Sequence, residues 1–397
     1  MGDERLRVAL FIRSLAGSGA ERNLLQLAGG LAARGHAVDL VLGRRAGPFA
    51  DAIPPGVNPV DLGGPRPLRA LVAGLRDPWV RRGLWPVVVS RRPPGVLGCA
   101  PALAAYLRRE RPPVLLSALA YSNVTALWAR RLAGVATRIV VSERNIVSVR
   151  ARASREARMR QLPRVLAHFY PEADVISAVS DGVADDLAAV TGIARAEIHT
   201  TYSPIVTPQL RLQAAAEPTH PWFVEPGLPV VLAVGKLKPQ KDFETLLKAF
   251  SRVRKQRPCR LLLLGRGPLE SHLRARAEAL GIAADVELGG FVANPFPLMS
   301  RAAVFVLSSA WEGLPSVLVQ AMACGCPVVS TDCPAGPAEI LEGGRLAPLV
   351  PVGDAAALAH AIEGVLAQPP PTAALRARAE DFALDPVLER TLPLLRG

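Results

Sequence analysis

The sequence has few aromatic residues, few cysteines and no long apolar run. Aromatics make up 5% of the 397 residues, and there are five Cys and six His. The longest stretches without a charge, 112–129 and 313–331, both contain Pro and polar residues. A membrane-spanning helix needs about 20 mostly apolar residues, so we interpret both stretches as strand-turn-helix units. The scarcity of aromatics and the lack of a nucleic-acid-binding motif disfavour a nucleic-acid-binding protein.

Cysteine usage and the N-terminus indicate a reducing compartment. The number of Cys is odd, and Cys324, Cys326 and Cys333 lie close together without the spacing of a zinc site, so we predict buried, reduced thiols. The N-terminus carries acidic residues and only a short apolar run at 8–12, which is too short for a signal peptide. We therefore expect a cytoplasmic protein.

Apolar runs and helical patterns alternate along the chain. Half of the residues are hydrophobic, which is enough for large buried cores. The alternation of strand and helix is typical of parallel sheets covered by helices on both faces. The predicted strands are 6–12, 37–42, 113–119, 138–142, 174–179, 229–234, 260–264, 285–288, 303–307 and 327–330.

A proline-rich stretch around 203–228 divides this alternation into two series. We predict an N-terminal domain at 1–206, a linker at 207–228 and a C-terminal domain at 229–372. A second break, QPPPT, precedes a helical tail at 373–397, which could return to the N-terminal domain.

The net charge of +13 is concentrated in the N-terminal part. Residues 1–206 contain 28 Arg, no Lys and 16 acidic residues, whereas the remainder holds 19 basic and 18 acidic residues. The Arg-rich segments 66–92, with Trp79 and Trp85, and 150–164 contribute much of this excess. A solvated basic face is one explanation. We favour contact with an anionic membrane surface, which attracts basic segments that carry interfacial aromatics.

Three turns in the C-terminal half each join a predicted strand to a predicted helix. Glycine lets the backbone approach a ligand closely, and the start of a helix favours an anion. The turns therefore suit a phosphate-bearing ligand, while solvated lysines, a tight turn and a helix-start charge are the structural alternatives. Their residues are Gly235, Lys236 and Lys241 in the first, Gly265 and Gly267 in the second, and Glu312 with Gly313 to Ser316 in the third.

These segments resemble a known family. The stretches VGKLKPQKDFETLLKAF, LLLLGRGPLESHL, GFVANPFPLM and SSAWEGLPSVLVQAMACGCPVVSTDCPAGPAEIL are similar to the nucleotide-sugar half of the retaining family 4 glycosyltransferases, or glycosyl transferases group 1. The stretches GSGAERNLLQLAGGLAARGHAVDLV and VSDGVADDL resemble the acceptor half. The resemblance implies an α/β protein of the GT-B fold, with two Rossmann-like doubly wound domains facing a cleft.

The resemblance also implies roles for residues. Lys236 and Lys241 would hold the donor diphosphate and, with Glu312, carry catalysis, although Lys236 stands where the family usually has Arg. Gln320 stands where the family has a second Glu; its amide can bind ribose hydroxyls but cannot act as a base. The implied donor-binding set is Gly17, Gly19, Gly235, Lys236, Lys241, Gly265, Gly267, Phe291, Val292, Glu312, Gly313, Leu314, Pro315, Ser316 and Gln320.

In the N-terminal half, Gly17 and Gly19 match the family's glycine loop, which faces the donor phosphates. Many relatives place a His near the end of the strand at 114–119, and this sequence has none there. Polar residues at the ends of two strands are predicted to contact the acceptor or the donor sugar, with a network of satisfied loop groups as the alternative. They are Asn123, Glu143, Arg144 and Asn145.

The function implied is the transfer of a hexose-type sugar, with retention, to a lipid-linked or cell-surface glycan. Family frequency favours a UDP-linked donor. No Asp-x-Asp triplet is present, and we expect neither a metal nor another cofactor. The alternatives are a catalytically impaired nucleotide-sugar-binding protein, which Gln320 and the missing His would suit, and a basic nucleic-acid-binding protein. We expect a peripheral position on the inner face of the membrane and no nucleic-acid partner.

Overall fold

The chain forms two compact units. The structure is a computed structural model, and it describes residues 5–17, 19–88, 93–218, 220–224 and 227–396. The N-terminal unit comprises the residues up to Pro204 together with those from Leu384 on, and the C-terminal unit is Ile205–Ala383. Arg91 and Arg92, which the sequence places in the first basic segment, lie outside the described residues.

In the part of the chain that the structure describes, seven parallel strands form the sheet of the N-terminal unit. Their order is β3-β2-β1-β4-β5-β6-β7, so the chain winds outward from β1 in one direction and then from β4 in the other. The strands are β1 Arg7–Ile12, β2 Ala37–Leu42, β3 Val57–Asp61, β4 Val114–Ala118, β5 Arg138–Glu143, β6 Val175–Ala178 and β7 Ile198–Thr200.

Helices separate these strands and cover an aliphatic core. Leu10 pairs in register with Leu40 on one side and Leu116 on the other, and all three side chains are buried. The helices are α1 Gly19–Ala33, α2 Pro67–Arg76, α3 Pro78–Val88, α4 Ala100–Glu110, α5 Ala120–Ala133, α6 Val147–Ala153, α7 Ala157–Arg160, α8 Leu162–Phe169 and α9 Asp181–Thr191.

The sheet of the C-terminal unit repeats this winding. Within the described residues its order is β10-β9-β8-β11-β12-β13, again all parallel, so the chain changes direction between β8 and β11. Val231 pairs with Leu261 and with Val304 at the centre of a buried aliphatic cluster. The strands are β8 Val230–Val234, β9 Arg260–Leu264, β10 Val286–Gly290, β11 Val304–Leu307, β12 Val328–Thr331 and β13 Leu349–Val350.

The helices of the C-terminal unit include two in the predicted linker. The segment 207–228, predicted as a linker, holds α10 and α11, and α10 packs against α14. Thr207 caps α10 by accepting a hydrogen bond from the amide of Leu210. The helices are α10 Pro208–Ala214, α11 Pro221–Val224, α12 Phe243–Gln256, α13 Glu270–Ala279, α14 Phe296–Arg301, α15 Ser316–Ala323, α16 Pro337–Ile340, α17 Ala355–Ala367 and α18 Ala373–Ala379.

The predicted tail at 373–397 is shared between the units. Residues up to Ala383, including α18, belong to the C-terminal unit, while α19 (Leu384–Arg396) belongs to the N-terminal unit and packs against α1. Arg34 of α1 pairs with Asp385 at 2.8 Å. A β-carbon at Gly30 would stand 2.7 Å from Leu384, so the absence of a side chain at Gly30 allows this close helix packing.

The five Cys are all buried and form no disulfide, as the sequence predicts. Burial raises the pKa of the Cys99 and Cys259 thiols to about 11, and that of Cys333 to about 12. Thiols of this kind act as small apolar groups in the core. Separately, among the residues that the structure describes, no helix has both the length and the apolarity needed to cross a bilayer.

Candidate donor-binding site

The three predicted turns leave neighbouring strands of the C-terminal sheet. Strands β9, β8 and β11 are adjacent, and their carboxyl ends are Leu264, Val234 and Leu307. In doubly wound sheets, ligands bind at the carboxyl ends of the strands where the winding changes direction. That change lies between β8 and β11. The structure therefore brings the turns together at the edge where a ligand is expected.

The first two turns are joined by backbone hydrogen bonds. The amide of Gly235 donates to Leu264 O at 2.8 Å, and the amide of Leu237 donates to Arg266 O at 3.1 Å. A β-carbon at Gly265, whose φ is +142°, would stand 1.9 Å from the carbonyl oxygen of Gly235. At Gly267 it would stand 2.3 Å from Leu237 O. Both glycines are thus required by the close contact of one turn with the other.

Lys241 and Glu312 form an ion pair at this edge. Lys241 Nζ lies 2.5 Å from Glu312 Oε1, and the two side chains are only 16% and 9% exposed. Ser309 Oγ donates to the same carboxylate oxygen at 2.6 Å, and Gln240 Nε2 donates to Oε2 at 3.4 Å. The carboxylate is therefore held by three donors, and the ammonium has a fixed position.

The loop that carries Lys241 is attached to the loop after β11. The amide of Ala310 donates to Gln240 O at 2.8 Å, and Ser308 Oγ donates to Lys241 O at 2.8 Å. Asp242 then begins α12 by accepting from the amide of Thr245 at 3.3 Å. Because Gly235 has no side chain, the Lys241 side chain can lie across it; a β-carbon there would stand 3.0 Å from Lys241 Cε.

Lys236 and the residues after β10 lie at the rim of this edge. Lys236 is exposed, whereas Lys241 is paired with Glu312, so the two predicted cations differ in environment. The predicted base-binding residues follow β10: Phe291 is exposed, and Val292 lines a pocket of about 420 Å³ with Leu264. Lys241, Glu312 and Gln320 are not among the described residues that line this pocket, so it is a separate cavity beside β9 and β10.

Helix α15 begins at Ser316, four residues after Glu312. Gly313 and Pro315 are buried, while Leu314 and Ser316 are partly accessible. The start of an eight-residue helix directs backbone N–H groups toward a ligand and favours an anion. Gln320 lies four residues beyond Ser316, on the same helix face, and is 8% exposed.

Gly17 and Gly19 of the N-terminal unit differ in backbone conformation and in the space available for a side chain. Gly17 has φ +91°, a conformation that favours glycine, and a β-carbon there would stand 3.0 Å from Pro48 Cγ. Gly19 is the first residue of α1, and a β-carbon there would meet nothing within 4 Å. Space at Gly19 is open, and its contact with the donor phosphates stays a prediction.

Two of the predicted acceptor residues, Asn123 and Glu143, lie in one buried hydrogen-bond network. Asn123 Nδ2 donates to Tyr170 Oη at 2.8 Å, and Tyr170 Oη donates to Glu143 Oε2 at 3.0 Å. The backbone amides of Arg144 and Asn145 also donate to Glu143. Tyr170 could not be predicted from the sequence, because it lies 47 residues after Asn123 in a helical segment with no polar pattern.

Burial shifts the pKa values of both charged groups in this region. Loss of solvation raises the pKa of Glu143, against the backbone amides that lower it. Loss of solvation lowers the pKa of Arg144 to about 10, and its guanidinium donates to Ser203 Oγ at 2.8 Å. The network satisfies Glu143 and the Nδ2 group of Asn123, whereas Asn123 Oδ1 is buried without a hydrogen-bond partner among the described residues. The alternative of satisfied polar groups therefore fits this network only in part, and an acceptor contact there stays a prediction.

The raised pKa of Glu143 predicts a pH-dependent contribution to stability. Between its unfolded pKa near 4.5 and its higher folded pKa, the native state binds more protons, so unfolding free energy is lost as pH rises. We expect Glu143→Gln, compared with wild type, to become progressively more stable above about pH 4.5, by at most about 1.4 kcal/mol per pH unit. Urea unfolding from pH 4 to 8 measures this. Glu197→Gln, at an exposed carboxyl of the same unit, is the control; parallel profiles for wild type and Glu143→Gln would contradict the prediction.

Among the described residues, no group of three or more His, Cys, Asp or Glu lies close enough together to hold a metal ion. The positive groups of the three turns include Lys236 and Lys241 of the first, Arg266 of the second and the start of α15 in the third.

Comparison with solved structures supports the fold. HepE of Anabaena, solved in complex with UDP, superposes with a TM-score of 0.70 over 98% of this chain and 99% of its own, at 18% identity. Two Rossmann-like units of this order are the GT-B fold of glycosyltransferases, which confirms the α/β class expected from the sequence. The identity is low, and the likeness concerns the fold alone.

Family models cover most of the chain. Residues 17–208 match the model described as "Glycosyltransferase Family 4", and residues 228–368 match that described as "Glycosyl transferases group 1". The chain belongs to glycosyltransferase family 4, as its motifs predict.

Curated relatives match over parts of the sequence. An uncharacterized glycosyltransferase of Methanocaldococcus jannaschii is 39% identical over 113 residues, 28% of each chain. The N-acetylgalactosamine-N,N'-diacetylbacillosaminyl-diphospho-undecaprenol 4-alpha-N-acetylgalactosaminyltransferase of Campylobacter jejuni is 29% identical over 230 residues, 58% of this chain and 60% of that one. The matched stretches thus span between 28% and 60% of these relatives' lengths.

Proposed function

We propose that the protein is a retaining glycosyltransferase that moves a hexose-type sugar from a UDP-linked donor to a lipid-linked or cell-surface glycan. The observation that carries the proposal is the Lys241–Glu312 pair at the carboxyl edge of β8 and β11, beside the start of α15. A fixed ammonium and helix amides at one edge suit a diphosphate. The relative from Campylobacter jejuni, whose name includes a diphospho-undecaprenol acceptor, supports the acceptor class.

The proposed reaction breaks the bond between the anomeric carbon and the diphosphate oxygen. The acceptor oxygen bonds to that carbon on the same face, and the acceptor proton passes to the leaving diphosphate. Lys241, Lys236 and the backbone amides of Gly313, Leu314 and Ser316 neutralise the charge that grows on the diphosphate, so the reaction needs no metal. Glu312 holds Lys241 in position and contacts the donor sugar.

A donor screen tests this proposal. Hydrolysis of UDP-, GDP- and ADP-sugars without acceptor identifies the donor, and NMR of the transfer product gives the configuration of the new bond. We expect a UDP-sugar to be used, the α-configuration to be retained, and activity to persist in EDTA. An inverted product would refute the retaining mechanism, and binding of donors without turnover would favour the catalytically impaired alternative.

Gln320 provides a sharper test of nucleotide binding. Its amide oxygen is proposed to accept a hydrogen bond from ribose, and one such bond contributes about 0.5–1.5 kcal/mol. We expect Gln320→Leu to weaken UDP binding by about tenfold, because it removes this acceptor and leaves the ribose hydroxyl unpaired. Gln320→Glu keeps an acceptor and serves as the matched variant.

Titration calorimetry with UDP measures both variants. Equal affinity of wild type and Gln320→Leu would place the ribose elsewhere. A stronger loss in Gln320→Glu than in Gln320→Leu would show that a carboxylate near the diphosphate is harmful, and would argue against the assigned contact.

The protein is proposed to work at the inner face of the membrane, where a lipid-linked acceptor presents its sugar. The support is the basic N-terminal part, since each basic residue near an anionic surface contributes about 1 kcal/mol. Co-sedimentation with vesicles that contain phosphatidylglycerol tests this. No binding at low salt would remove the membrane contact from the proposal.

A further inference from the structure

An open apolar groove of about 340 Å³ lies between α2 and α3 of the N-terminal unit. Its floor includes the small residues Ala70 and Gly74 of α2 and Gly95, Leu97 and Gly98 of the following 3-10 turn. Trp128 and Trp85 form parts of its wall. Almost all of the described side chains that line it are apolar, and Arg81 is the one charged residue among them.

Helix α2 turns its apolar stripe toward this groove and the solvent, not toward the core. Leucines and valine recur at the helical spacing i, i+3, i+4 and i+7, and Leu68 at its start is 77% exposed. Ala70 is the only buried residue of α2. On α3, Trp85 is 50% exposed. An apolar patch of this extent on a folded unit marks an interaction site. The stripe consists of Leu68, Leu71, Val72 and Leu75.

Arginines without an acidic partner lie in and beside the groove: Arg81 lines it, and the others lie on α2 or α3 or just before α2. Within the part of the chain that the structure describes, the exposed arginines of α2 and α3 form no ion pair. Asp77, the acid between the two helices, pairs with Arg131 at 2.6 Å and accepts from the amide of Trp79 at 3.0 Å. The unpaired arginines are Arg66, Arg69, Arg76, Arg81 and Arg82.

The second basic segment adds to the same surface. Helix α3 packs against α7 and α8, which carry Arg160 and Arg164 at exposed positions. Trp79, which the sequence groups with Trp85 as an interfacial aromatic, instead packs on His168 and Phe169 of α8 with ring centroids 4.7 and 4.6 Å apart. Trp85 is therefore the aromatic available to a ligand, and Trp79 joins the two segments.

We propose that this groove binds the hydrocarbon chain of a lipid-phosphate-linked acceptor, with the phosphate held by the arginines in and beside it. This inference rests on the proposed function. The groove is concave, which suits a single chain, whereas a bilayer surface would leave its floor uncovered. The arginines match an anionic head group and would be left unmatched by an apolar protein helix. The volume lies within the range of small-molecule sites.

Binding of farnesyl phosphate tests the inference. Quenching of Trp85 fluorescence reports on the groove, and Trp85→Phe identifies that signal. We expect wild type to bind farnesyl phosphate at least tenfold more tightly than farnesol, which lacks the phosphate. Arg66→Gln combined with Arg81→Gln is expected to remove this preference. Inorganic phosphate alone is expected to leave the fluorescence unchanged.

Two variants address the groove itself. A β-carbon at Gly74 would stand 3.4 Å from Trp128 Cζ2 and 3.7 Å from Val80 Cγ1, so Gly74→Phe places its ring in the groove. We expect it to weaken farnesyl phosphate binding at least tenfold. Leu75→Gln changes an exposed side chain without disturbing the core and is expected to weaken binding about threefold. Leu212→Gln, at an exposed leucine of α10, is the matched control.

Three results would overturn the proposal. The first is equal binding of farnesyl phosphate by wild type, Gly74→Phe and Leu75→Gln. The second is that Leu75→Gln changes only the binding of vesicles, and the third is that it changes only dimerisation, measured by sedimentation velocity. The last two would identify a bilayer or a second copy as the occupant. Donor hydrolysis is measured separately. A wild-type protein that hydrolyses the donor but does not bind farnesyl phosphate would refute the lipid site alone. A wild-type protein that binds farnesyl phosphate but does not hydrolyse any donor would refute the proposed reaction and support the lipid site.

Discussion

Replacing Lys241 with alanine is expected to lower turnover by about 10²–10³-fold, the loss typical when one group that stabilises transition-state charge is removed from a preorganised site. The ammonium is already fixed by Glu312 at 2.5 Å and costs no reorganisation during the reaction. In Lys241→Ala the charge on the leaving diphosphate would be met by Lys236 and helix amides alone. Donor hydrolysis under saturating substrate measures the loss.

The fold should survive this substitution. Glu312 keeps its hydrogen bonds from Ser309 and Gln240, so its carboxylate remains partly satisfied. Lys255→Ala, at an exposed lysine near the end of α12, is the matched control and should retain normal turnover. Thermal unfolding separates loss of function from loss of structure. Near-normal turnover in a folded Lys241→Ala protein would place the diphosphate elsewhere.

The strands that build the site could be predicted because their signals are local. Strands β8, β9 and β11 are continuous apolar runs that end at Gly235, Gly265 or a serine pair, so composition and turn residues agree. Strand β3 was not predicted, since it contains Pro59 and is largely exposed at the edge of the sheet. Its pairing with β2 depends on tertiary contacts that the sequence pattern does not display.

Contacts between residues far apart in the sequence could not be predicted from local patterns. Lys241 and Glu312 were singled out separately, but their contact joins residues 71 positions apart. Tyr170 became recognisable only when the fold placed it between Asn123 and Glu143. The stripe on α2 has the spacing of an ordinary core-facing helix, and only the structure shows that this face is uncovered.

Substituting Gly265 with alanine should have the largest effect on stability at the site. The β-carbon would overlap the carbonyl oxygen of Gly235 at 1.9 Å, and φ of +142° is open to glycine almost alone. Backbone strain of this kind costs about 1–3 kcal/mol before the overlap is counted. We expect a loss of about 3 kcal/mol or more in unfolding free energy, because the turns after β8 and β9 must separate.

Gly281→Ala separates the two causes of this loss. Gly281 also has a positive φ, +68°, but a β-carbon there would meet nothing within 4 Å, so its substitution should cost only the dihedral strain of about 1–2 kcal/mol. Urea unfolding measures both variants.

The same substitution should also affect ligand binding. Since the Lys241 side chain lies across Gly235, separation of the turns should displace the ammonium, and Gly265→Ala should lose UDP affinity where Gly281→Ala does not. Similar losses in both variants would mean that the contact between the turns contributes little, and that the site does not depend on it.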